Sequence, residues 1–295
     1  MKIIVDIKGG LGNQLFCYAF GYALSKKKNA KLYIDTSMQD NKNVKGRNLE
    51  LLHFNPKYER RISYKFRNHF LDRKFGINRI RRIIQVGLFT KKYAEKKQMI
   101  YDEQVFDINQ NTYFDGFWQS ETYFKEYREE LINMLVPNKT YTLEVSKVMK
   151  EVQEKESVAL HVRRGDYVGL GWQLPMNYYD LALEKMSEEI GKGFEIYVFS
   201  DDIAFSKEYF SKYEEKNKMH YVQYESDNAV VDDLYVMSKC KHNIIANSSY
   251  SWWAAWLNQN RNKVVICPEI GMWTDDFYPE EWKKIDLTKT MSHER

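Results

Sequence analysis

The stretch KIIVDIKGGLGNQLFCYAFGYALSKKK, residues 2–28, decides the fold. KIIVDI (2–7) is an apolar run bounded by a turn signal, the pattern of a buried strand. Gly9, Gly10 and Gly12 follow at once. Beyond them Leu15, Phe16, Ala19, Phe20, Ala23 and Leu24 recur at helical spacing, and Lys26, Lys27 and Lys28 suit the negative C-terminal end of that helix. LYIDT (32–36) reads as the next strand. Strand, glycine turn, helix and strand open a parallel α/β sheet.

Outward from this unit the chain is less regular. Residues 45–100 mix positive charge, Asn and aromatics without a clean period, so short helices and loops are expected. YFDGFWQS (113–120) is strand-like with a turn, a helix is expected near 121–134, and Pro137 to Thr140 read as a linker before a helix at 141–154. A second α/β pattern starts at Ser157. Strands are expected at SVALHV (157–162), FEIYVFSDD (194–202), MHYVQY (219–224), HNIIANSS (242–249) and, last, KVVICP (263–268). Helices are expected at 177–189, 229–238 and 250–258. The expectation is an α/β chain of two Rossmann-like domains, 1–140 and 141–295. Both carry polar loops at strand C-termini, where parallel sheets bind ligands, and a cleft between them would let a donor and an acceptor meet.

The net charge of +4 conceals an asymmetry: residues 1–150 carry 28 Lys+Arg against 16 Asp+Glu, and residues 151–295 carry 17 against 25. The basic excess is densest from Lys57 to Arg82 and again at Lys91, Lys92, Lys96 and Lys97, a pattern that suits anionic membrane lipids or nucleic acid, or else a solvated surface with a counter-charged partner domain. Cys17, Cys240 and Cys267 lack metal-type or disulfide-type spacing, so a reducing cytoplasm fits. The first residues are too polar for a signal peptide, and no run of about 18 apolar residues spans a membrane.

Four constellations carry chemistry. Gly9-Gly10-Leu11-Gly12-Asn13-Gln14 follows the first strand; glycines let backbone approach a ligand and a helix start favours anions, while Asn13 as a helix cap is the structural alternative. His161-Val162-Arg163-Arg164-Gly165-Asp166 places two guanidinium forks at a strand end, which suits a diphosphate. If the strand runs on, His161 and Arg163 share one face, and one Arg binds ligand while the other is pinned by Asp166. Asn247-Ser248-Ser249-Tyr250-Ser251 sets hydroxyls and amides at a helix start, an anion nest. Ser248 or Ser249 as a simple cap, and Ser251 as a solvated or capping hydroxyl, are the alternatives. Trp252, Trp253 and Trp256 read as core. Asp201 and Asp202 can hold a metal, bond a ribose or cap a helix, and the metal-free reading is favoured. Asp232 and Asp233 read as capping carboxylates, or Asp233 accepts from guanine N1 and N2; the residues leave both open.

Together GGLGNQLF, HVRRGDYV, VFSDD and ANSSYSWWAAW occur in the order of the bacterial α-1,2-fucosyltransferases, which this chain resembles from residue 8 to about 268. The resemblance implies a GT-B fold, GDP-β-L-fucose as donor, a terminal β-galactoside 2-hydroxyl as acceptor, inversion, and no metal or other cofactor. It implies that Arg163, supported by Arg164, binds diphosphate, that His161 and Asp233 contact guanine, and that Ser248, Ser249 and Tyr250 form the phosphate loop. Gly10, Asn13 and Gln14 would lie near the reacting sugar, with Arg163, Asp166 and Asn13 as the catalytic candidates. Asp166 is the nearest carboxylate for a base; His53, Asp115 and Glu121 are open too. The expected partners are GDP-fucose and a galactose-containing or lipid-linked glycan, with no nucleic acid, in the cytoplasm, the basic 57–97 region facing the membrane. Transfer of another linkage (α-1,6 type) and nucleotide-sugar or glycan binding without turnover are the rivals.

Overall fold

A computed structural model describes residues 1–37, 39, 48–63, 90–215, 217–271, 274 and 276–287. The chain divides into two compact units, Met1–Asn138 with Asp275–Phe277, and Lys139–Thr274 with Tyr278–Arg295. The α/β class is as expected, with one parallel sheet in each unit.

The first unit contains β1 (Lys2–Asp6), α1 (Leu11–Lys27), β2 (Lys31–Asp35), β3 (Arg60–Ile62), β4 (Lys91–Ala94), β5 (Thr112–Asp115) and α2 (Arg128–Met134). The strand order is β3-β2-β1-β5-β4. The chain first builds outward from β1 on one side, then returns to its other side through β5. The glycine turn after β1 and the loop after β5 therefore leave the sheet edge at its switch point, where open α/β sheets take ligands. α1 starts at Leu11 with Gly10 as its cap, so Asn13 is inside the helix rather than its cap. The helix is buried nearly all round, which needs close approach to the sheet. Gly21 supplies it: a Cβ there would stand 2.7 Å from a Val5 methyl. Phe20 stacks on Trp118 at 4.2 Å.

The structure departs from the sequence reading at four places in this unit. Arg60–Ile62 and Lys91–Ala94 are edge strands where loops were expected; both are short and largely polar, so they carry no apolar run to read. The segment expected as one helix near 121–134 begins as two 3-10 turns, and only Arg128–Met134 is α-helical. Most of the basic stretch from Lys57 to Arg82 lies outside the described residues. Asp276 and Phe277 rejoin this unit late in the chain: the Asp276 carboxylate accepts the Tyr101 N–H at 3.0 Å, and Phe277 packs on Phe16 at 6.1 Å.

The second unit contains α3 (Leu143–Glu154), β6 (Ser157–Val162), α4 (Gly165–Leu170), α5 (Asn177–Ile190), β7 (Glu195–Ser200), α6 (Ile203–Phe210), β8 (Lys218–Tyr221), α7 (Ala229–Met237), β9 (His242–Ile244), α8 (Ser249–Leu257), β10 (Val265–Glu269) and β11 (Lys283–Asp286). The order is β11-β10-β9-β6-β7-β8. Alternate residues of β6 and β7 serve opposite cores: Val158, Leu160, Ile196 and Val198 pack with α5, and Ala159, Tyr197 and Phe199 with α3 and α7. A central parallel strand covered on both faces needs this continuous apolar run. β11 is a strand beyond the one expected as last; its KKID is largely polar because it closes an edge. Among the described residues, no helix is long and apolar enough to cross a membrane.

Candidate functional site

β9, β6 and β7 are neighbours and all parallel, so the loops after them leave one edge together. The chain builds β6, β7, β8 in one direction and then restarts at β9 on the other side of β6. The switch point thus falls between the Arg loop after β6 and the Ser loop after β9.

β6 ends at Val162, so Arg163 and Arg164 lie in the loop, not on a strand face as expected. Arg163 is the Arg that Asp166 pins, through one terminal nitrogen; its other, Nη1, stands 2.5 Å from Asp201 Oδ2. Asp201 Oδ1 accepts the N–H groups of Arg164 at 2.8 Å and Gly165 at 3.1 Å. A Cβ at Gly165 would meet Asp201 Oδ2 at 2.6 Å and push the carboxylate from these bonds. Arg164 Nε pairs with Asp202 Oδ2 at 3.1 Å, and its guanidinium lies 3.4 Å over the Phe205 ring. Asp202 also caps α6 through the Phe205 N–H. Both carboxylates of the FSDD strand end are thus engaged by the Arg loop. Among the described residues, no three His, Cys, Asp or Glu side chains gather as a metal site.

Ser248 caps α8, its hydroxyl accepting the Tyr250 N–H at 3.3 Å. Ser249 and Tyr250 open the helix, whose first-turn amides point to the sheet edge where an anion is favoured. Ser251 is neither solvated nor capping. It is buried and donates back to the carbonyls of Ala246 and Ser248. Trp252, Trp253 and Trp256 are core.

His161 lies buried beside Tyr250, with ring centroids 5.5 Å apart and Nδ1 without a partner. Burial, and then the charge of Arg163, lower its pKa to about 4, so the ring is neutral. The Tyr250 hydroxyl donates to Val230 O at 2.7 Å, which ties the Ser loop to α7. Neither Asp232 nor Asp233 caps α7; Asn228 does. Asp232 is fully buried and pairs with Lys139 Nζ at 2.9 Å and with the Ser226 hydroxyl. Asp233 accepts from the Tyr224 hydroxyl at 2.5 Å, and burial raises its pKa to about 6. Tyr224 went unnoticed in the sequence, although it ends the run read as a strand, where loop residues meet a ligand edge.

Gly10, Asn13 and Gln14 belong to the first unit. Gly9 has φ +77°, and a Cβ there would strike the Asn13 amide at 2.8 Å. Asn13 Oδ1 accepts from Gln119 Nε2 at 2.9 Å, which joins the first turn of α1 to the loop after β5. Gln14 is fully buried and its amide is used within the unit. Nε2 donates to the carbonyls of Gly9 and Asn48, and Oε1 accepts from the N–H groups of Glu50 and Leu51. It therefore pins segment 48–51 to the glycine turn.

Two of the candidate bases, Asp166 and Asp115, are held by cations. Asp166 is held by Arg163. Burial would raise the Asp115 pKa, but hydrogen bonds and charge from Lys8 and Lys92 outweigh it and hold the carboxyl at about 2. His53 is half exposed and stands 3.4 Å from Glu50. Glu121 opens a 3-10 turn.

Residues 2–286 match glycosyl transferase family 11. An α-1,2-colitosyltransferase of Escherichia coli is 30% identical over 297 residues, covering 96% of this chain and 99% of the relative. The O-antigen biosynthesis glycosyltransferase WbnK of Escherichia coli is 30% identical over 288 residues, covering 89% and 92%. A solved structure of the NodZ α-1,6-fucosyltransferase soaked with GDP-fucose is similar at 14% identity and a TM-score of 0.46, covering 87% of this chain and 92% of that one. With its sequence matched nearly end to end, the chain belongs to glycosyl transferase family 11.

Proposed function

We propose that this glycosyltransferase moves L-fucose from GDP-β-L-fucose to the 2-hydroxyl of a terminal β-galactoside in a glycan, with inversion at the anomeric carbon. The observation that carries the reading is the switch point of the second unit, where Arg163 and the Ser248-capped start of α8 leave adjacent parallel strands. A fork of guanidinium donors and a helix N-terminus at the ends of adjacent strands suit a diphosphate. Asp233, held by Tyr224, offers two carboxylate oxygens to the N1 and N2 donors of guanine, and neutral His161 stands by for the base.

In this reading Asp166 keeps the place of the phosphate. Asp201 is fixed by two backbone amides, whereas Asp166 is bound by Arg163 and is the more exposed carboxylate of the two. An incoming diphosphate takes the Arg163 fork from Asp166. The anomeric C–O bond to phosphate then breaks, and its charge is met by Arg163 and the α8 amides. A new C–O bond forms from the acceptor oxygen, whose proton passes to solvent or to the released Asp166. We read the reaction as independent of metal, because the Arg loop and the helix amides already meet the leaving charge. We assign the first unit to the acceptor side and the second to the donor. The acceptor is read as a cell-surface polysaccharide unit, in keeping with the O-antigen name of one relative, assembled in the cytoplasm. The basic 57–97 region would face the membrane; flotation with anionic and neutral liposomes tests that, and equal behaviour in both ends it.

The full-length similarity to a colitosyltransferase favours a second reading, transfer of colitose, which is L-fucose lacking its 3-hydroxyl. One experiment covers both. The protein is incubated with GDP-fucose or GDP-colitose and a panel of galactosides, with EDTA, and products are read by NMR. An α-1,2-fucosyl product supports the first reading. An α-1,6 product, colitosyl transfer alone, or turnover only with another nucleotide sugar overturns it.

A further inference from the structure

Beyond the Arg loop, Tyr167-Val168-Gly169-Leu170-Gly171-Trp172 carries three large apolar side chains in the open: Val168 is 46%, Leu170 54% and Trp172 46% exposed. Every other tryptophan among the described residues is buried. Trp172 is nonetheless firmly placed. Gly171, with φ 66°, ends α4 in the left-handed cap and turns the chain. The Trp172 N–H donates to Tyr167 O at 2.9 Å, and Trp172 O accepts from Asn247 Nδ2 at 2.8 Å. The Tyr167 hydroxyl reaches Asn247 O at 3.3 Å, and the Tyr167 ring meets the indole edge-on at 5.9 Å. Tyr167 in turn lies 5.3 Å from the Arg163 guanidinium. An exposed indole is thus locked to both the Arg loop and the Ser loop.

The surroundings indicate what it takes. A sugar ring supplies an apolar C–H face for an indole, and the indole stands beside the two loops that would hold the donor. A lipid surface fits less well, because residues 165–176 contain no Lys or Arg and one acid, Asp166.

We propose that Trp172 is the stacking platform for the acceptor sugar, with Leu170 and Val168 as its apolar rim. Acceptor selection then lies partly in the second unit. This rests on reading the Arg and Ser loops as the donor site.

The test uses the whole protein with GDP present, as wild type and as Trp172→Ala, Trp172→Leu and Trp172→Phe. Saturation-transfer NMR reads binding of methyl β-galactoside, and steady-state kinetics read the KM of acceptor and donor separately. The expected result is acceptor binding weakened about tenfold in the Ala and Leu variants, rescue by Phe, and a donor KM that moves much less. Trp172→Leu keeps apolar volume, so it reports on the ring face should the Ala variant fold poorly. Undiminished galactoside binding in Trp172→Leu overturns the proposal, as does absent galactoside binding in the wild type. Vesicle binding that is lost with Trp172 while galactoside binding is not overturns it in favour of a membrane contact. If wild type binds galactoside through Trp172 but no transfer from GDP-fucose occurs, the donor reading fails and the platform stands.

Discussion

Arg163 Nη1 stands 2.5 Å from Asp201 Oδ2, while Asp201 Oδ1 receives the backbone N–H groups of Arg164 and Gly165. One carboxylate from the end of β7 therefore shapes the backbone of the loop after β6 and aims its arginine. Asp201→Ala should lower stability by about 1–2 kcal/mol, since two amides lose their acceptor at a partly exposed site. Donor KM should rise more than in Asp201→Asn, which keeps one carbonyl oxygen. Urea denaturation and donor kinetics check both; equal behaviour of the two variants would contradict the loop-shaping role.

Arg163→Lys keeps the charge but loses the fork. If the fork holds the leaving diphosphate, kcat/KM should fall roughly a hundredfold or more. A fall of less than about threefold, outside the range of a lost charge-assisted contact, would remove Arg163 from that role.

Asp233 has its pKa raised by burial to about 6. The folded state binds an extra proton between the unfolded carboxylate value and 6, so this group's contribution to stability is present at low pH and lost as pH rises through that window. Asp233→Asn should then be more stable than wild type by about 3 kcal/mol at pH 7.5 and little different near pH 4. The same substitution should weaken GDP binding, and wild-type GDP affinity should fall as pH drops below about 6. Melting curves and calorimetric titration at several pH values decide it.

His161 has its pKa lowered to about 4 by burial and then by Arg163. Its neutral ring contributes stability that is full above the unfolded histidine value and is lost as pH falls toward 4. Wild-type stability should drop between pH 6.5 and 4, and His161→Gln should flatten the slope by up to about 1.4 kcal/mol per pH unit. Parallel slopes would show that another group is responsible.

Lys139 is the partner of fully buried Asp232 at 2.9 Å. Lys139→Met leaves that carboxylate uncompensated and should cost about 3 kcal/mol. The double variant Lys139→Met with Asp232→Leu should recover most of it. A double-mutant cycle by denaturant unfolding measures the coupling.

The sequence by itself determined the elements whose burial writes a pattern. KIIVDI, SVALHV and EIYVFS are legible because a central parallel strand covered on both faces must be apolar throughout. The helix from Leu11 is legible from its spacing, and the Arg and Ser loops from residue types that suit a diphosphate. Edge strands such as Arg60–Ile62 and Lys283–Asp286 were not legible, because one half-covered face needs no apolar run.

Only the tertiary structure decided which loops meet. Strand order places the switch point of the second unit between β6 and β9, so the Arg loop and the Ser loop become neighbours although 80 residues separate Tyr167 from Asn247. It also decided what each polar group does. Gln14 spends its whole amide on Gly9, Asn48, Glu50 and Leu51, Asp201 and Asp202 are spoken for by arginines, and Tyr224 holds Asp233. The physical reason is that hydrogen bonds and ion pairs are satisfied in space, between residues brought together by packing, and leave no period along the chain.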